Sequence, residues 1–402
     1  MKTTERGNNE MRRTMASIGA AVIMLFLGLI YAWSIFVAPL ESEFGWTRGQ
    51  TSLTFTICMS LFCIGGLCAS QLRKKLDISV ILIMNAIVIL IAFILTSRVN
   101  SLIELYVYYG VLCGFSVGCA YNCILSVIPL YFPKHIGLIN GGMLLSFGMG
   151  GLILGALANK LITLFDWRTT FVYLGILFFI AFLAFSFFVR PPKSEERATG
   201  DLKALDDIGA TPREMIKHPY FWIFAVWQIT VNAMGLSVIG HAASLATEVE
   251  VPGALLALAV GVVSAASGVG KFLFGLLYDL KGRAVTMTLS SVIGFVGAII
   301  IYICLKNNSL PLLLIGYFCC GASYGASPAC NATFTRKQFG NKYFSTNFAI
   351  NSMSLLIAAF LGTYLIGAVR AGSENYSVSV IILGVYMLVS IVAAQFMKKE
   401  KN

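Results

Sequence analysis

Charge is scarce in this chain of 402 residues. Asp, Glu, Lys and Arg make up 12% of it against 58% hydrophobic residues, and only three histidines are present. The eighteen acids fall in the tails, the loops or the ends of apolar runs, as Glu104 and Asp279 do. With no acid in the middle of a run, nothing is placed to bind a proton or draw in a cationic drug at mid-membrane, which argues against multidrug:proton exchange. No grouping of nucleophile, base and metal ligands lies near one face, so an enzyme is not expected. The ten cysteines form no C-x-x-C pair and have no histidine or carboxylate cluster beside them. They read as small packing residues, and neither metal nor cofactor is expected.

What the chain does have is long apolar runs. Twelve are recognisable, at about 15–40, 51–71, 78–97, 102–129, 137–161, 167–189, 220–246, 254–280, 284–305, 310–332, 342–366 and 377–397. Each is long enough to cross a bilayer as a helix. The first exceeds a signal-peptide core and lacks a small-residue cleavage site, so it is read as retained. The expected fold class is all-α integral membrane, in the cell membrane, with both termini cytoplasmic. The net charge of +11 fits that topology: 22 of the 29 Lys and Arg fall in the segments this arrangement places inside, and six in the external loops. That is the positive-inside asymmetry. The bilayer therefore accounts for the basic charge, and no nucleic-acid partner is implied.

The one long polar stretch, residues 190–219, carries twelve charges in thirty positions. It divides the chain into an N-terminal bundle with its basic tail (1–189), a central loop (190–219) and a C-terminal bundle (220–402). Thr211-Pro212-Arg213-Glu214 reads as a capping box opening a short helix. A faint repeat at an offset of 203 pairs Gly118, Tyr121, Lys134 and Gly137 with Gly321, Tyr324, Lys337 and Gly340. Two pseudo-symmetric six-helix bundles are expected. A monomer is expected, and a sensor would usually add a soluble domain larger than this loop.

The remaining lysine is the exception. Lys271 lies in the run from Ala254 to Leu280, which is otherwise uncharged as far as Asp279. Eight residues separate the two, about 12 Å along a helix, which puts Lys271 near the midplane. A cation there costs roughly 2.5–3.5 kcal/mol unless it faces a partner or water. On the helical wheel Ser264, Ser267, Gly268 and Gly275 share its side, while Val262, Val269, Leu273, Leu276 and Leu280 lie opposite. The offset of 203 matches Lys271 with Cys68, so the charge has no counterpart in the first half.

Several motifs then carry a resemblance. Gly275-Leu-Leu-Tyr-Asp279-Leu-Lys-Gly-Arg283 resembles the loop signature of the major facilitator superfamily in its second-half copy, a conformational latch of Gly275, Asp279 and Arg283. The first-half copy, from Gly65 to Lys75, lacks the aspartate. The run from Tyr31 to Arg48, the stretch Tyr131 to Gly137, Asp166-Trp167-Arg168 and the stretch Arg213 to Trp222 resemble the oxalate:formate antiporter family, which is monocarboxylate-transporter-like. The resemblance covers nearly the whole chain. It implies an anion carrier whose cation in span eight holds the substrate carboxylate. In the oxalate carriers that cation is arginine, with a second cation, a lysine, in span eleven. Here span eight offers Lys271, and span eleven, from Asn347 to Ala358, has no charge.

One cation suits one carboxylate, and lysine lacks arginine's bidentate fork. The expectation is a secondary transporter of a small organic anion, a monocarboxylate, working by alternating access and anion exchange. Proton-coupled monocarboxylate symport and carriage of a larger organic anion remain as alternatives. Tyr31 and Tyr121, supported by the resemblance, and Tyr324, from the repeat, offer hydroxyls and rings to the pocket. Gln228, Asn232 and Asn351 are further polar candidates. Trp33 lies about 200° round the helix from Tyr31 and is not expected to share its cavity. His241, near the outer end of span seven, is expected to meet interfacial water and is left out of the site.

Overall fold

Runs this apolar can satisfy their backbone hydrogen bonds in a bilayer only by coiling into helices, and helices fill the computed structural model. It describes residues 2–73, 75–132, 136–191, 209–340, 342–373 and 375–397. Most of the central loop, the tail beyond Met397 and Pro133, Lys134 and His135 of the loop after span four lie outside the described residues.

The first six spans are Met11–Phe44, Arg48–Ala69, Ile78–Thr96, Leu102–Val127, Ile139–Leu164 and Trp167–Ser186. Span seven is Pro219–Glu248, spans ten to twelve are Leu310–Phe339, Thr346–Ala371 and Ser377–Phe396, and the helix Gly253–Asn307 lies between them. Its 55 residues would make a straight rod of about 80 Å, more than twice the hydrocarbon thickness. The rod breaks at Gly282, whose φ of 78° is a conformation open chiefly to glycine. Its arms, 253–281 and 283–307, are spans eight and nine. Twelve crossings put both chain ends on one face, the basic one.

Within each half a close crossing is built on glycine. A methyl on Gly114 or Gly118 of span four would overlap the backbone of Cys58 or Phe62 in span two. Gly321 and Gly325 of span ten meet Val263 and Ser267 of span eight in the same way. Gly118 and Gly321 are the pair matched by the sequence repeat, so the faint repeat marks equivalent crossings. Between the halves, span one packs on seven, two on eleven and five on eight.

The motifs of the first half fasten its outer end. Glu41 accepts from Arg48 at 2.7 Å and from Thr51 at 2.6 Å. Glu43 accepts from the Trp167 indole and from Arg168, each at 2.7 Å. Asp166 caps span six by accepting from the Thr169 backbone at 2.7 Å, and that bond holds its carboxyl below the usual carboxylate range. At the basic face the expected capping box forms: Thr211 N–H donates to Glu214 at 2.7 Å, and Pro212 opens the short helix.

Candidate functional site

Span eight delivers Lys271 to the interior. Its side chain is 3% exposed, while Leu273, Leu276 and Leu280 on the opposite stripe are 50–69% exposed to the lipid side. The close crossing with span ten fixes its depth, because Gly325 of span ten lies against the Lys271 backbone. Among the described residues the ammonium has neither a hydrogen-bond acceptor nor a carboxylate beside it. It faces three rings instead, with Nζ 5.1 Å from the centre of Phe147, 5.4 Å from Tyr31 and 5.8 Å from Tyr324. Contacts of this kind contribute about 0.5–2 kcal/mol each.

These groups line a cavity of about 140 Å³ between the halves. A water needs roughly 10–15 Å³ on that measure, so a small acid fits and a large one does not without rearrangement. Tyr31, Tyr121, Tyr324, Gln228, Asn232 and Lys271 all reach it. Among the described residues Lys271 is the one charged residue in its lining. Local helix geometry presents the tyrosines. Span one tightens to a 3₁₀ turn over Gly28–Ala32 around Tyr31. In span ten, Pro328 has no N–H to return to the Tyr324 carbonyl. The Tyr31 and Tyr324 hydroxyls meet at 3.0 Å across the two halves. Tyr121 packs at 5.2 Å from Phe147 and 5.0 Å from Phe62.

Asn351 is placed otherwise than expected. It stands behind the cavity wall, donating to Asn331 Oδ1 at 2.8 Å and Thr335 Oγ1 at 3.2 Å. Asn331, which the sequence reading passed over, is the amide that reaches the cavity, together with Asn122, Ser327, Phe62, Cys63 and Phe147. A signal existed for two of them: Ser327 and Asn331 follow Tyr324 by three and seven residues, on one helix face. Trp33 lies outside the cavity, as expected, with its ring 4.4 Å from Tyr109. His241 does not meet interfacial water. It is 1% exposed, with Nε2 and Nδ1 each 3.1 Å from a partner, the Thr363 carbonyl and the Tyr376 hydroxyl. A carbonyl only accepts, so Nε2 carries the proton.

The latch residues sit at the basic end of span eight. Arg283 donates to Gln338 at 2.6 Å and stacks 4.7 Å from the Tyr220 ring, joining the ends of spans seven, nine and ten. Asp279 is exposed and makes no ion pair among the described residues. Gly275 faces Ala329 at ordinary contact distance. These two contacts of Arg283, with Gln338 and Tyr220, lie within the second half.

The cavity is closed toward the outer face. Arg48 bonds Ser244, Thr56 bonds Thr363, and the Ala243 N–H donates to Ser34 at 3.3 Å, each pair bridging the halves. Its lining runs the other way, through Gly66, Asn122, Asn331 and Phe348 toward the basic face. A midplane cavity between two helical halves, closed on one side, is the arrangement of an alternating-access carrier.

Comparison with known proteins decides the family. The model of the Major Facilitator Superfamily matches residues 17–239 and 226–402. The chain belongs to this superfamily. It is similar to the oxalate:formate antiporter of Oxalobacter formigenes, 21% identical over 94% of this chain and 90% of that protein. It is also similar to the uncharacterized MFS-type transporter YhjX of Escherichia coli (strain K12), 27% identical over 72% of each chain. Human monocarboxylate transporter 12 is 28% identical over 35% of this chain and 28% of its own length. Among solved structures, a mutant form of the nucleoside transporter NupG superposes with a TM-score of 0.72 at 12% identity, over 96% of this chain and 100% of that one. A bacterial homolog of the human lysosomal transporter Spinster, inward-facing and occupied, gives 0.67 at 16% identity, over 96% of both chains. The protein is thus a multi-pass membrane transporter of the major facilitator fold, not an enzyme, and is related to carriers named for organic anions.

Proposed function

We propose that this transporter carries a small monocarboxylate, bound through Lys271, and that it works chiefly by exchanging one such anion for another. The observation that carries the reading is the ammonium of Lys271, buried in a cavity that no other charge lines among the described residues. An anion's carboxylate at about 4 Å from it gains about 4 kcal/mol at an effective dielectric of 20. A second carboxylate on the same molecule would meet Phe348 and Leu355 of span eleven, which also line the cavity, and would lose its hydration without a partner. One charge is therefore favoured over two. The hydroxyls of Tyr31, Tyr121 and Tyr324 and the amides of Asn122, Gln228, Asn232 and Asn331 supply the remaining donors. Relatives named as an oxalate:formate antiporter and as monocarboxylate transporters fit this chemistry.

Exchange follows from the same charge. A carrier that turns over loaded keeps its cation paired, and one that turns over empty forgoes that pairing. The two halves rock about the cavity, with Asp279 and Arg283 re-pairing at the basic face when it closes. A panel of formate, lactate, pyruvate, oxalate and benzoate tests the reading through thermal stabilisation of the purified protein and competition for uptake. The small monocarboxylates are expected to stabilise and compete, and oxalate to do neither. Stabilisation by oxalate above all others would overturn the one-charge reading. Uphill uptake driven by a pH gradient, with no anion on the far side, would replace exchange by proton symport.

A further inference from the structure

Lys271 is without a carboxylate here, yet its ammonium is not bare, and the way its three rings are held differs. Tyr31 belongs to the first half and Tyr324 to the second, and their hydroxyls are bonded to each other at 3.0 Å on the closed, outer side of the cavity. Opening that side must part them. Phe147 is held otherwise. Its backbone, in span five, lies hard against span one, where a methyl on Gly28 would overlap its carbonyl. The next residue, Gly148, sits against Gly268 of span eight, three residues before Lys271, and its carbonyl accepts from Ser264 at 2.6 Å. The five–eight crossing is thus the closest seam between the halves at the depth of the ammonium. Groups at such a seam move least when the halves rock. Phe147 is also the nearest of the three rings to Nζ, at 5.1 Å. Edge-on contacts with Tyr31 and Tyr121, at 5.0 and 5.2 Å, fix its plane.

We infer that Phe147 is the resident partner of Lys271 in the unloaded carrier, and that its π face sets how strictly transport is coupled to exchange. The inference rests on Lys271 as the carboxylate site and assigns a role to a residue that site does not need for charge. When the anion leaves, the ammonium keeps the ring that stays beside it at this seam, so the empty carrier can cross at a finite rate. A carboxylate replaces the ring as the dominant partner when substrate is bound. The ring therefore matters more to the empty crossing than to the loaded one.

The test uses the full-length carrier in proteoliposomes, loaded in turn with labelled formate, lactate and pyruvate. Efflux is measured with the unlabelled acid outside (exchange) and with none (net). Phe147→Leu keeps an apolar side chain and removes the π face. The ratio of exchange to net efflux is expected to rise about fivefold, the size of one such contact. Fluorinated phenylalanines at position 147 keep the ring's shape while draining its face, and the ratio should rise stepwise with fluorine number. Because that series preserves packing, it decides the matter even if Phe147→Leu fails to fold. A ratio unchanged across the fluorine series overturns the inference. Wild-type protein that exchanges none of the three acids overturns the carboxylate reading of Lys271 instead.

Discussion

A buried ammonium surrounded by rings and amides, with no acid beside it among the described residues, defines what each neighbouring residue can contribute. Tyr324 offers a hydroxyl that closes on Tyr31, a bond of about 0.5–1.5 kcal/mol net. Tyr324→Phe should therefore loosen the outer closure by about 2–10-fold. The readout is labelling of Cys63 in the cavity wall by an impermeant thiol reagent applied from the outer side; an unchanged rate would mean the bond closes nothing. Leu355 faces the cavity from span eleven without charge. Leu355→Lys supplies a second cation, and oxalate should then compete at least about tenfold better relative to formate, measured by uptake inhibition. Lys271 itself was legible in the sequence because a charge count along an apolar run isolates it. The tyrosines and Gln228 were legible as polar groups at cavity depth. Asn351 was not, since two amides on facing helices pair with each other as readily as with a ligand, and here Asn351 supports Asn331. His241 misled for the same reason: its partners Tyr376 and Thr363 come from distant parts of the chain.

Helices position these residues through caps and close crossings. Asp166→Ala removes the cap of span six and should cost about 1 kcal/mol, seen as a lower melting temperature, with substrate competition unaltered. Because the native hydrogen bond holds the Asp166 carboxyl below its usual value, its contribution is present above the unfolded pKa of about 3.9 and is lost as pH falls below the folded value. Gly325→Val drives a side chain into the Lys271 and Ser267 backbone. It should cost about 1–3 kcal/mol in stability and displace the ammonium, whereas Gly142→Ala, with nothing within 4 Å of the added methyl, should be neutral in the same melting assay. Span number and type were readable from apolar length alone. The two apolar runs 254–280 and 284–305 already separated spans eight and nine in the sequence, although the helix runs on across Gly282 by hydrogen bonding. The 3₁₀ turn at Tyr31 and the π-type stretch Tyr106–Cys113 had no sequence signal, because they follow from packing between spans rather than from local propensity.

Across the molecule, the halves meet tightly on the outer side and leave the cavity lined toward the basic face. If rocking about the cavity is the transport motion, joining the halves on the outer side must stop it. Gly49 and Ala368 face each other from spans two and eleven, with Cβ atoms 3.9 Å apart once a Cβ is placed on Gly49, within the range a disulfide needs. The double variant Gly49→Cys/Ala368→Cys should lose exchange on oxidation and recover it with reductant. Exchange that continues in the oxidised form would rule out outward opening at this seam.

The most direct test compares wild type, Lys271→Arg and Lys271→Gln for exchange of labelled formate, lactate and pyruvate in proteoliposomes, with folding checked by melting temperature. Losing the ion pair should lower exchange by about 100-fold or more in the glutamine variant, while arginine, which keeps the charge, should retain a measurable fraction. A folded Lys271→Gln carrier that exchanges these acids at the wild-type rate would contradict the account.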